Sequence, residues 1–407
     1  MASNIENMNT SSEPDNSNLL KRLMEGLFNS SKRPKTPGEF GLAMLKTVPS
    51  GLVVIRSFMK EVNWRQAQGD VLKGLDNTIV IVGQPNSGKS TLFNTLKGAQ
   101  LSPVSAVEGT TRSLVRSTFG PFILIDTPGH LPELMQNGID EATVVVLLID
   151  ATKGLQDKDK ELYSAITTAK KTTIVAVNKV DMLNSVAEGD RAANEVAVAL
   201  GVAGVIPIAG RTGQNVAEEL IPALIEASPE AALVIGRELP AYRRAAAQRI
   251  IRNSTLVSLA AGMEPIPLVD IPILLGTQMR LVLRIAALYG EPMDSADAMK
   301  HAKELIATAA SGAGMRILAE QAAKAVPFGG DFIAGAIAGA ATWAIGQVAL
   351  EYYEGGKQIN PGRLRQLYTS FYRRFRRSRT TEELHTYVIE GDDKPLAIEA
   401  PKTRKEA

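Results

Sequence analysis

Residues 79–96 read Ile79-Val-Ile-Val-Gly-Gln-Pro-Asn-Ser-Gly-Lys-Ser-Thr-Leu-Phe-Asn-Thr-Leu96, and this stretch decides the fold of the first half of the chain. A short β-branched run leads into a loop with the pattern GxxxxGKS, and residues typical of a helix follow it. The glycines let the loop curl so that successive N–H groups point inward, and the helix N-terminus attracts negative charge. The stretch therefore predicts a strand, a phosphate-binding loop and a helix.

The residues of this loop have separate predicted roles. The ammonium group of Lys89 can reach the β- and γ-phosphates of a nucleotide, and it is also our candidate for stabilising charge during catalysis. The hydroxyl of Ser90 is placed to bind Mg²⁺. We predict that the loop and the first helical turn bind the nucleotide through Asn86, Ser87, Gly88, Lys89, Ser90 and Thr91.

Around this loop, apolar strands alternate with amphipathic helices from Thr78 to about Ala227. The strand candidates are β-branched runs without strict alternation, which is expected of strands buried on both faces. They are 79–82, 122–125, 144–149, 174–177 and 205–208, with helix candidates at 158–170 and 186–200. The pattern predicts an α/β domain with a doubly wound, mostly parallel six-stranded sheet.

Two further motifs follow predicted strands. Asp126-Thr-Pro-Gly129 comes after the second strand, where Asp126 can hold Mg²⁺ through water and Gly129 can offer an N–H to a γ-phosphate. Asn178-Lys-Val-Asp181 ends a later strand. The Asp181 carboxylate offers two acceptors to the N1–H and N2–H₂ donors of guanine, whereas adenine presents the opposite pattern.

The neighbours of Asp181 complete the predicted base site. Asn178 can tie this loop to the phosphate loop, and the aliphatic stem of Lys179 can cover the base. The backbone N–H groups of Ala209 and Gly210 can donate to the guanine O6.

The residues that act on the γ-phosphate are harder to choose. Glu108-Gly-Thr-Thr-Arg112 offers two threonines for Mg²⁺, and we select Thr111 over Thr110. His130 can orient the attacking water, or it can point outward without a catalytic role. Lys89, Thr111 and His130 are therefore the candidate catalytic residues, and Ser90, Thr111 and Asp126 are the candidate metal ligands.

The four motifs GxPNxGKS, GTTR, DTPG and NKxD resemble the Era/TrmE-like branch of the translation-factor-related GTPases, over about residues 78–227. The resemblance implies a P-loop GTPase domain, Mg²⁺-dependent hydrolysis of GTP to GDP, and Thr111 as the switch threonine. It also implies K⁺ beside Asn86 as an additional cofactor candidate. The chain departs from the family in its short segments 112–126 and 129–143, in Ser113, and in having Ala209-Gly210 in place of Ser-Ala.

Composition excludes several classes of function. The chain has 407 residues, a formal net charge of +2 and no cysteine. A disulfide framework, a thiolate metal site and a cysteine nucleophile are therefore excluded. The first residues are polar and acidic where a secretory signal would be apolar, so we expect the nucleotide-binding part to be cytoplasmic. The C-terminal half adds the expectation of membrane association.

The second half predicts an all-α, Ala/Gly-rich helical domain. Residues 332–350 carry no charge and as a helix would span about 28 Å, close to the thickness of a bilayer's hydrocarbon core. Bilayer spanning, reversible membrane association and a helical core in water all remain open. Gly335, Gly339 and Gly346 would let another helix approach closely. Residues 240–356 resemble the YcjF-like GTPase-associated helical domain, a resemblance that suggests a membrane link.

A basic segment follows at 361–379. Its apolar residues Leu364, Leu367, Phe371 and Phe375 fall on one helical stripe, and no acidic residue interrupts its arginines. Anionic lipid is the preferred partner of such a helix, RNA is the next candidate, and a solvated terminal helix is the third interpretation. Seven arginines contribute: Arg363, Arg365, Arg373, Arg374, Arg376, Arg377 and Arg379.

The predicted organisation has five parts. A disordered N-terminus (1–17) and a helical segment (18–76) precede the GTPase domain (77–228). The helical domain (229–358) and a basic helix with a polar tail (359–407) follow it. We expect a GTP-dependent switch that acts at a membrane surface, with an RNA- or ribosome-associated GTPase as the alternative.

Overall fold

A computed structural model describes residues 64–98, 116–125, 139–263, 270–293, 298–307 and 330–377. The predictions made for residues 1–17, for most of 18–76 and for the tail after Arg377 lie outside these ranges. Within them, the first half forms an α/β domain and the second half is helical, as the sequence predicted.

The described strands form one six-stranded sheet with the order β2-β3-β1-β4-β5-β6. The strands are β1 (Ile79–Gly83), β2 (Arg116–Phe119), β3 (Phe122–Ile125), β4 (Val144–Asp150), β5 (Thr172–Asn178) and β6 (Ile206–Pro207). All neighbouring pairs are parallel except β2 and β3, which form a hairpin around Gly120-Pro121. The predicted doubly wound, mostly parallel sheet is confirmed.

Helices cover both faces of this sheet. In β1, Ile79 and Ile81 face one hydrophobic cluster, and Val80 and Val82 face the other, because successive side chains of a strand point to opposite faces. Helices α2 (Lys89–Lys97) and α5 (Ile221–Ala227) contribute to the first cluster. Helices α3 (Asp157–Thr168) and α4 (Val186–Leu200) contribute to the second.

The helical part begins directly after α5. The hydroxyl of Ser228 caps the next helix by accepting from the Ala231 N–H at 3.0 Å, and Pro229 occupies its first turn. The helices are α6 (Pro229–Glu238), α7 (Arg243–Gly262), α8 (Asp270–Leu288), α9 (Gly330–Glu354) and α10 (Pro361–Arg377), with a further helical stretch at 298–307.

The two halves share one hydrophobic core. The cluster that contains Ile79 and Ile81 continues through α6, α7, α8 and α9. Helix α1 (Trp64–Leu75), which precedes the sheet, packs on α6 and α8, and Asp70 pairs with Arg280 of α8 at 2.9 Å. The helical domain is therefore built onto one face of the α/β domain, with α1 bridging the two.

Glycines bring α7 and α9 into close contact. A Cβ added to Gly335 would lie 2.8 Å from the Leu259 carbonyl oxygen, and one added to Gly346 would lie 2.7 Å from Ile251 Cγ1. On the α7 side, a Cβ at Gly262 would lie 2.9 Å from the Gly335 Cα. The predicted close approach at Gly335 and Gly346 is thus present, with α7 as the partner helix.

The apolar stripe of α10 lies in the core. Leu364, Phe371 and Phe375 are buried, and the Trp343 ring of α9 lies 5.8 Å from the Phe371 ring and 5.4 Å from the Phe375 ring. The opposite face keeps exposed arginines, among them Arg363, Arg365 and Arg373. In the folded chain this charged face, and not the aromatic stripe, is what α10 can offer to an anionic partner.

None of the helices in the described ranges is both long enough and apolar enough to cross a bilayer.

Candidate nucleotide-binding site

The phosphate loop joins β1 to α2 and depends on two glycines. A Cβ at Gly83 would lie 2.3 Å from the Leu148 carbonyl oxygen of β4, and one at Gly88 would lie 2.2 Å from Asn178 Nδ2. Gly88 also has φ 92°, in the left-handed region that favours glycine, at the N-cap of α2. Only glycine lets the loop approach these neighbours so closely.

The buried Lys89 side chain folds back over the loop. Its Nζ donates to the carbonyl oxygens of Gly83 and Gln84, both at 3.1 Å. These contacts fix the ammonium group above the loop, beside the N-terminus of α2. A positive charge at this place can bind the outer phosphates of a nucleotide.

The hydroxyls of the loop fit a polyphosphate. Ser87 Oγ is buried and has no hydrogen-bond partner among the described residues, and a phosphate oxygen is the kind of partner that such a group requires. Ser90 and Thr91 are exposed on the first turn of α2, where their hydroxyls can face a ligand or Mg²⁺. The loop residues predicted from the sequence therefore lie together at one helix N-terminus.

Asn178 ties the phosphate loop to the two loops predicted to bind the base. Its Nδ2 donates to the Ser87 carbonyl at 2.8 Å, and its Oδ1 accepts from the Gly210 N–H at 2.7 Å. Asn178 is buried, so both hydrogen bonds are protected from water. The predicted link between Asn178 and the phosphate loop is present, and it also fixes the Ala209-Gly210 segment.

Asp150 holds Lys179, the residue that follows Asn178, in place. The sequence motifs did not predict this role. Its Oδ2 pairs with Lys179 Nζ at 2.6 Å, while its Oδ1 accepts from the backbone N–H and hydroxyl of Thr152. Burial alone would raise the pKa of Asp150, but the hydrogen bonds from Lys179 and Thr152 outweigh it and lower the pKa. The Lys179 stem is thereby held across the base loop.

Asp181 and the two residues expected to bind O6 already have partners in the protein. The Asp181 carboxylate pairs with Arg211, and the Ala209 and Gly210 N–H groups donate to Gln214 O and Asn178 Oδ1. The Gly210 carbonyl accepts from Thr95 of α2. The sequence prediction had no role for Arg211.

The comparison with known proteins agrees with this geometry. Residues 78–179, which contain the phosphate loop and Asn178, match the family described as 50S ribosome-binding GTPase. These residues are similar to that family and have the P-loop GTPase fold. The P-loop GTPase assignment made from the four motifs is confirmed.

The helical domain also matches a family model. Residues 229–377 match a domain of unknown function, DUF697, which is consistent with the YcjF-like resemblance. The matched region begins at the first residue of α6 and ends with the last residue of α10.

Individual relatives match part of this chain. GTPase Der of Syntrophotalea carbinolica is 30% identical over 204 residues, covering 46% of this chain and 45% of that protein. GTPase Era of Treponema denticola is 32% identical over 124 residues, covering 27% and 42%. The tRNA modification GTPase MnmE of Dechloromonas aromatica is 34% identical over 157 residues, covering 35% and 34%. The chain thus spans less than half the length of these relatives.

Four predicted site residues lie outside the described ranges: Thr111, Asp126, Gly129 and His130. Their roles at Mg²⁺, the γ-phosphate and the attacking water stay predictions. The described hairpin β2–β3 connects the two segments that contain them.

Proposed function

We propose that this protein is a GTP-binding and GTP-hydrolysing molecular switch whose helical domain couples the nucleotide state to a membrane surface. The observation that carries the nucleotide part is the double hydrogen bond of Asn178, which holds the phosphate loop and the base loops in one site.

The chain's own residues divide the chemistry between them. The loop N–H groups, Ser87 and Lys89 bind the phosphates, and Asp181 accepts from the guanine N1 and N2 donors. Mg²⁺ would neutralise phosphate charge when bound, and among the described residues the Ser90 hydroxyl would help to hold it. Thr111, Asp126 and Gly129 are proposed to respond to the γ-phosphate, His130 to orient water, and K⁺ beside Asn86 to add transition-state charge.

A contact between the halves supports coupling. The turn of the β2–β3 hairpin lies against the end of α6, where a Cβ at Gly120 would be 3.5 Å from Glu238 Cγ. Glu238 is half-buried there, and burial raises the pKa of its carboxyl. Because the hairpin connects the two predicted switch segments, a rearrangement of either segment would press on α6.

The first test compares phosphate release from GTP and ATP, with and without anionic liposomes. Replacing Asp181 by Ala removes both acceptors for the guanine donors, so we expect GTP turnover at subsaturating substrate to fall about 100-fold. The preference for GTP over ATP is expected to disappear with it. Asp190→Ala, which removes an exposed carboxylate of α4, is the matched control and should behave like wild type. Equal use of GTP and ATP by the wild-type protein would refute the GTPase proposal.

The membrane part is tested through the exposed arginines of α10. The triple variant Arg363→Ala, Arg365→Ala, Arg373→Ala is expected to weaken binding to phosphatidylserine vesicles by on the order of 100-fold at low salt, since each basic residue near an anionic surface contributes about 1 kcal/mol. Co-sedimentation measures this affinity. The control is the triple variant Lys153→Ala, Lys158→Ala, Arg191→Ala, which removes three exposed positive charges elsewhere. Its net charge equals that of the α10 variant.

The alternative is an RNA- or ribosome-associated GTPase, which the description of the matched family favours. The same arginine face would then bind the RNA backbone, and filter binding across a salt series would detect it. Wild-type turnover that does not respond to anionic liposomes, no binding to phosphatidylserine vesicles, and salt-dependent RNA binding would together favour this alternative.

A further inference from the structure

The turn of the β2–β3 hairpin touches the end of α6 through a glycine. Gly120 adopts φ 52°, in the left-handed region that favours glycine. A Cβ added to Gly120 would lie 3.5 Å from Glu238 Cγ and 3.9 Å from Glu238 Oε2. Glu238 is the last residue of α6, the first helix of the helical domain. We call the meeting of Gly120 with the Arg237-Glu238 end of α6 the hairpin contact.

Two charged side chains at the hairpin contact have buried atoms without hydrogen bonds. Glu238 Oε2 and Arg237 Nε are both buried, and neither has a hydrogen-bond partner in the part of the chain that the structure describes. Arg237 Nε lies 3.8 Å from Glu238 Oε1, which is too far for a hydrogen bond. Buried polar atoms of folded proteins are nearly always hydrogen-bonded, so these two atoms are exceptions.

Burial makes the hairpin contact costly. A charged group that loses water and gains no hydrogen bond raises the free energy of the folded state. Burial also raises the pKa of the Glu238 carboxyl, and the positive charge of Arg237 only partly offsets this. The penalty is relieved when water reaches Oε2 and Nε. Packing of Glu238 on Gly120 therefore favours a closed contact, and desolvation of the two side chains favours an open one.

The hairpin contact and the phosphate loop lie at opposite edges of the sheet. Phe122 is paired with Ile79, so the turn before Phe122 lies at the edge where the parallel strands begin. The phosphate loop follows the carboxyl end of β1, at the other edge. β2 and β3 have four residues each, so the hairpin spans about 13 Å between the two edges. Its open end leads into the two predicted switch segments.

The strand β3 is held more firmly than β2. It pairs with β1 on one side and with β2 on the other, and the Pro121 carbonyl before it accepts from the Ile79 N–H at 2.8 Å. Among the described strands, β2 lies at the edge of the sheet and pairs with β3 alone. A displacement of the hairpin therefore falls on β2 and on Gly120, the residue that touches Glu238.

We propose that the hairpin contact is a two-state regulatory contact, in which Arg237 and Glu238 set the balance between the closed form seen here and an open form, and the bound nucleotide shifts that balance. The inference rests on the proposed function and names the residues through which the helical domain responds to the nucleotide. Because coupling between two sites is reciprocal, a variant that favours the closed contact also strengthens binding of the nucleotide that favours it.

The test compares the wild-type protein with Glu238→Gln, which keeps the shape of the side chain and removes its charge. Hydrogen exchange of residues 116–125 is measured by mass spectrometry on the whole chain, with GDP and with a non-hydrolysable GTP analogue. In the wild-type protein we expect the exchange rates with the two nucleotides to differ by about fivefold or more. In Glu238→Gln we expect exchange to slow by on the order of 10-fold with both nucleotides, because the closed contact no longer buries a charge.

Nucleotide affinities supply a readout that a purely structural role would not change. The nucleotide with which the wild-type hairpin exchanges more slowly is expected to gain about fivefold in affinity over the other in Glu238→Gln. Glu238→Leu removes both oxygens and is expected to act in the same direction, which excludes an effect of the new amide. Glu195→Gln makes the same change at an exposed carboxylate of α4 and should leave exchange and affinities unchanged.

Three results would overturn the proposal. Equal exchange of the wild-type hairpin with the two nucleotides would mean that the nucleotide state does not reach this contact. Unchanged or faster exchange in both Glu238 variants would mean that Glu238 does not set the balance. Slower exchange with an unchanged ratio of affinities would make Glu238 a packing residue only. A wild-type protein that binds neither nucleotide would contradict the proposed function itself, and the regulatory contact with it, so the two failures are distinguishable.

Discussion

Lys89→Ala is expected to reduce GTP turnover by at least about 100-fold while the protein remains folded, since removal of a single charge-stabilising donor costs catalysis that much or more. In the structure this ammonium group is held by two loop carbonyls, those of Gly83 and Gln84. A nucleotide would therefore find the positive charge already positioned, with little reorganisation needed during hydrolysis.

The measurement is phosphate release under single-turnover conditions, with GDP affinity determined in parallel. Because Lys89 reaches the γ-phosphate as well as the β-phosphate, we expect the rate to fall more than the affinity for GDP does. Lys97→Ala, at the last turn of the same helix, is the matched control and should keep wild-type turnover. If Lys89→Ala retains a rate within threefold of wild type, the assignment of this loop as the catalytic phosphate site is wrong.

Gly335→Ala is expected to have the largest effect on the helical domain. The added methyl group would lie 2.8 Å from both the Leu259 carbonyl oxygen and Met263 Cγ. The backbone carbonyl cannot move away without displacing α7. We therefore expect overpacking to lower the free energy of unfolding by about 2 kcal/mol. For a chain of this size the free-energy loss corresponds to a melting temperature lower by about 2–3 °C.

A second glycine supplies the control. Gly69 lies within α1 and has no atom within 4 Å of its would-be Cβ. Gly69→Ala should therefore stabilise the protein by about 0.5–1 kcal/mol, because alanine restricts the unfolded chain and favours the helix. Calorimetry and urea titration measure the stability of both variants, and we expect the two changes to have opposite signs. A stability gain for Gly335→Ala similar to that of Gly69→Ala would show that α7 and α9 are not in close contact.

The sequence predicted those helices and loops whose conformation is set by residues close together in the chain. Helix α4 runs from Val186 to Leu200, the boundaries expected from the sequence. The Ser185 hydroxyl accepts from the Glu188 N–H at its start, and Gly201 adopts φ 66° at its end. The phosphate loop was equally predictable, since its chemistry lies in consecutive residues. The positions of Asn86, Ser87, Gly88, Lys89, Ser90 and Thr91 follow from one strand–loop–helix unit.

Contacts between distant segments were not predictable in this way. Lys179 pairs with Asp150 across neighbouring strand ends, and Asp181 pairs with Arg211 across two loops. The sequence carries no pattern for either pair, because charged residues beside a strand end are common. The stripe of α10 was ambiguous for another reason: an apolar helix face looks the same whether a lipid or Trp343 covers it.

The core that the two halves share has a consequence for biosynthesis. A ribosome releases β1 to β6 well before α8 and α9, yet the cluster around Ile79 and Ile81 is completed by residues of those later helices. The hydrophobic cluster on that side of the sheet therefore stays incomplete while more than a hundred further residues are translated. During that interval its apolar surface is open to aggregation and is a natural substrate for chaperones. The helical domain therefore completes the shared core late in synthesis.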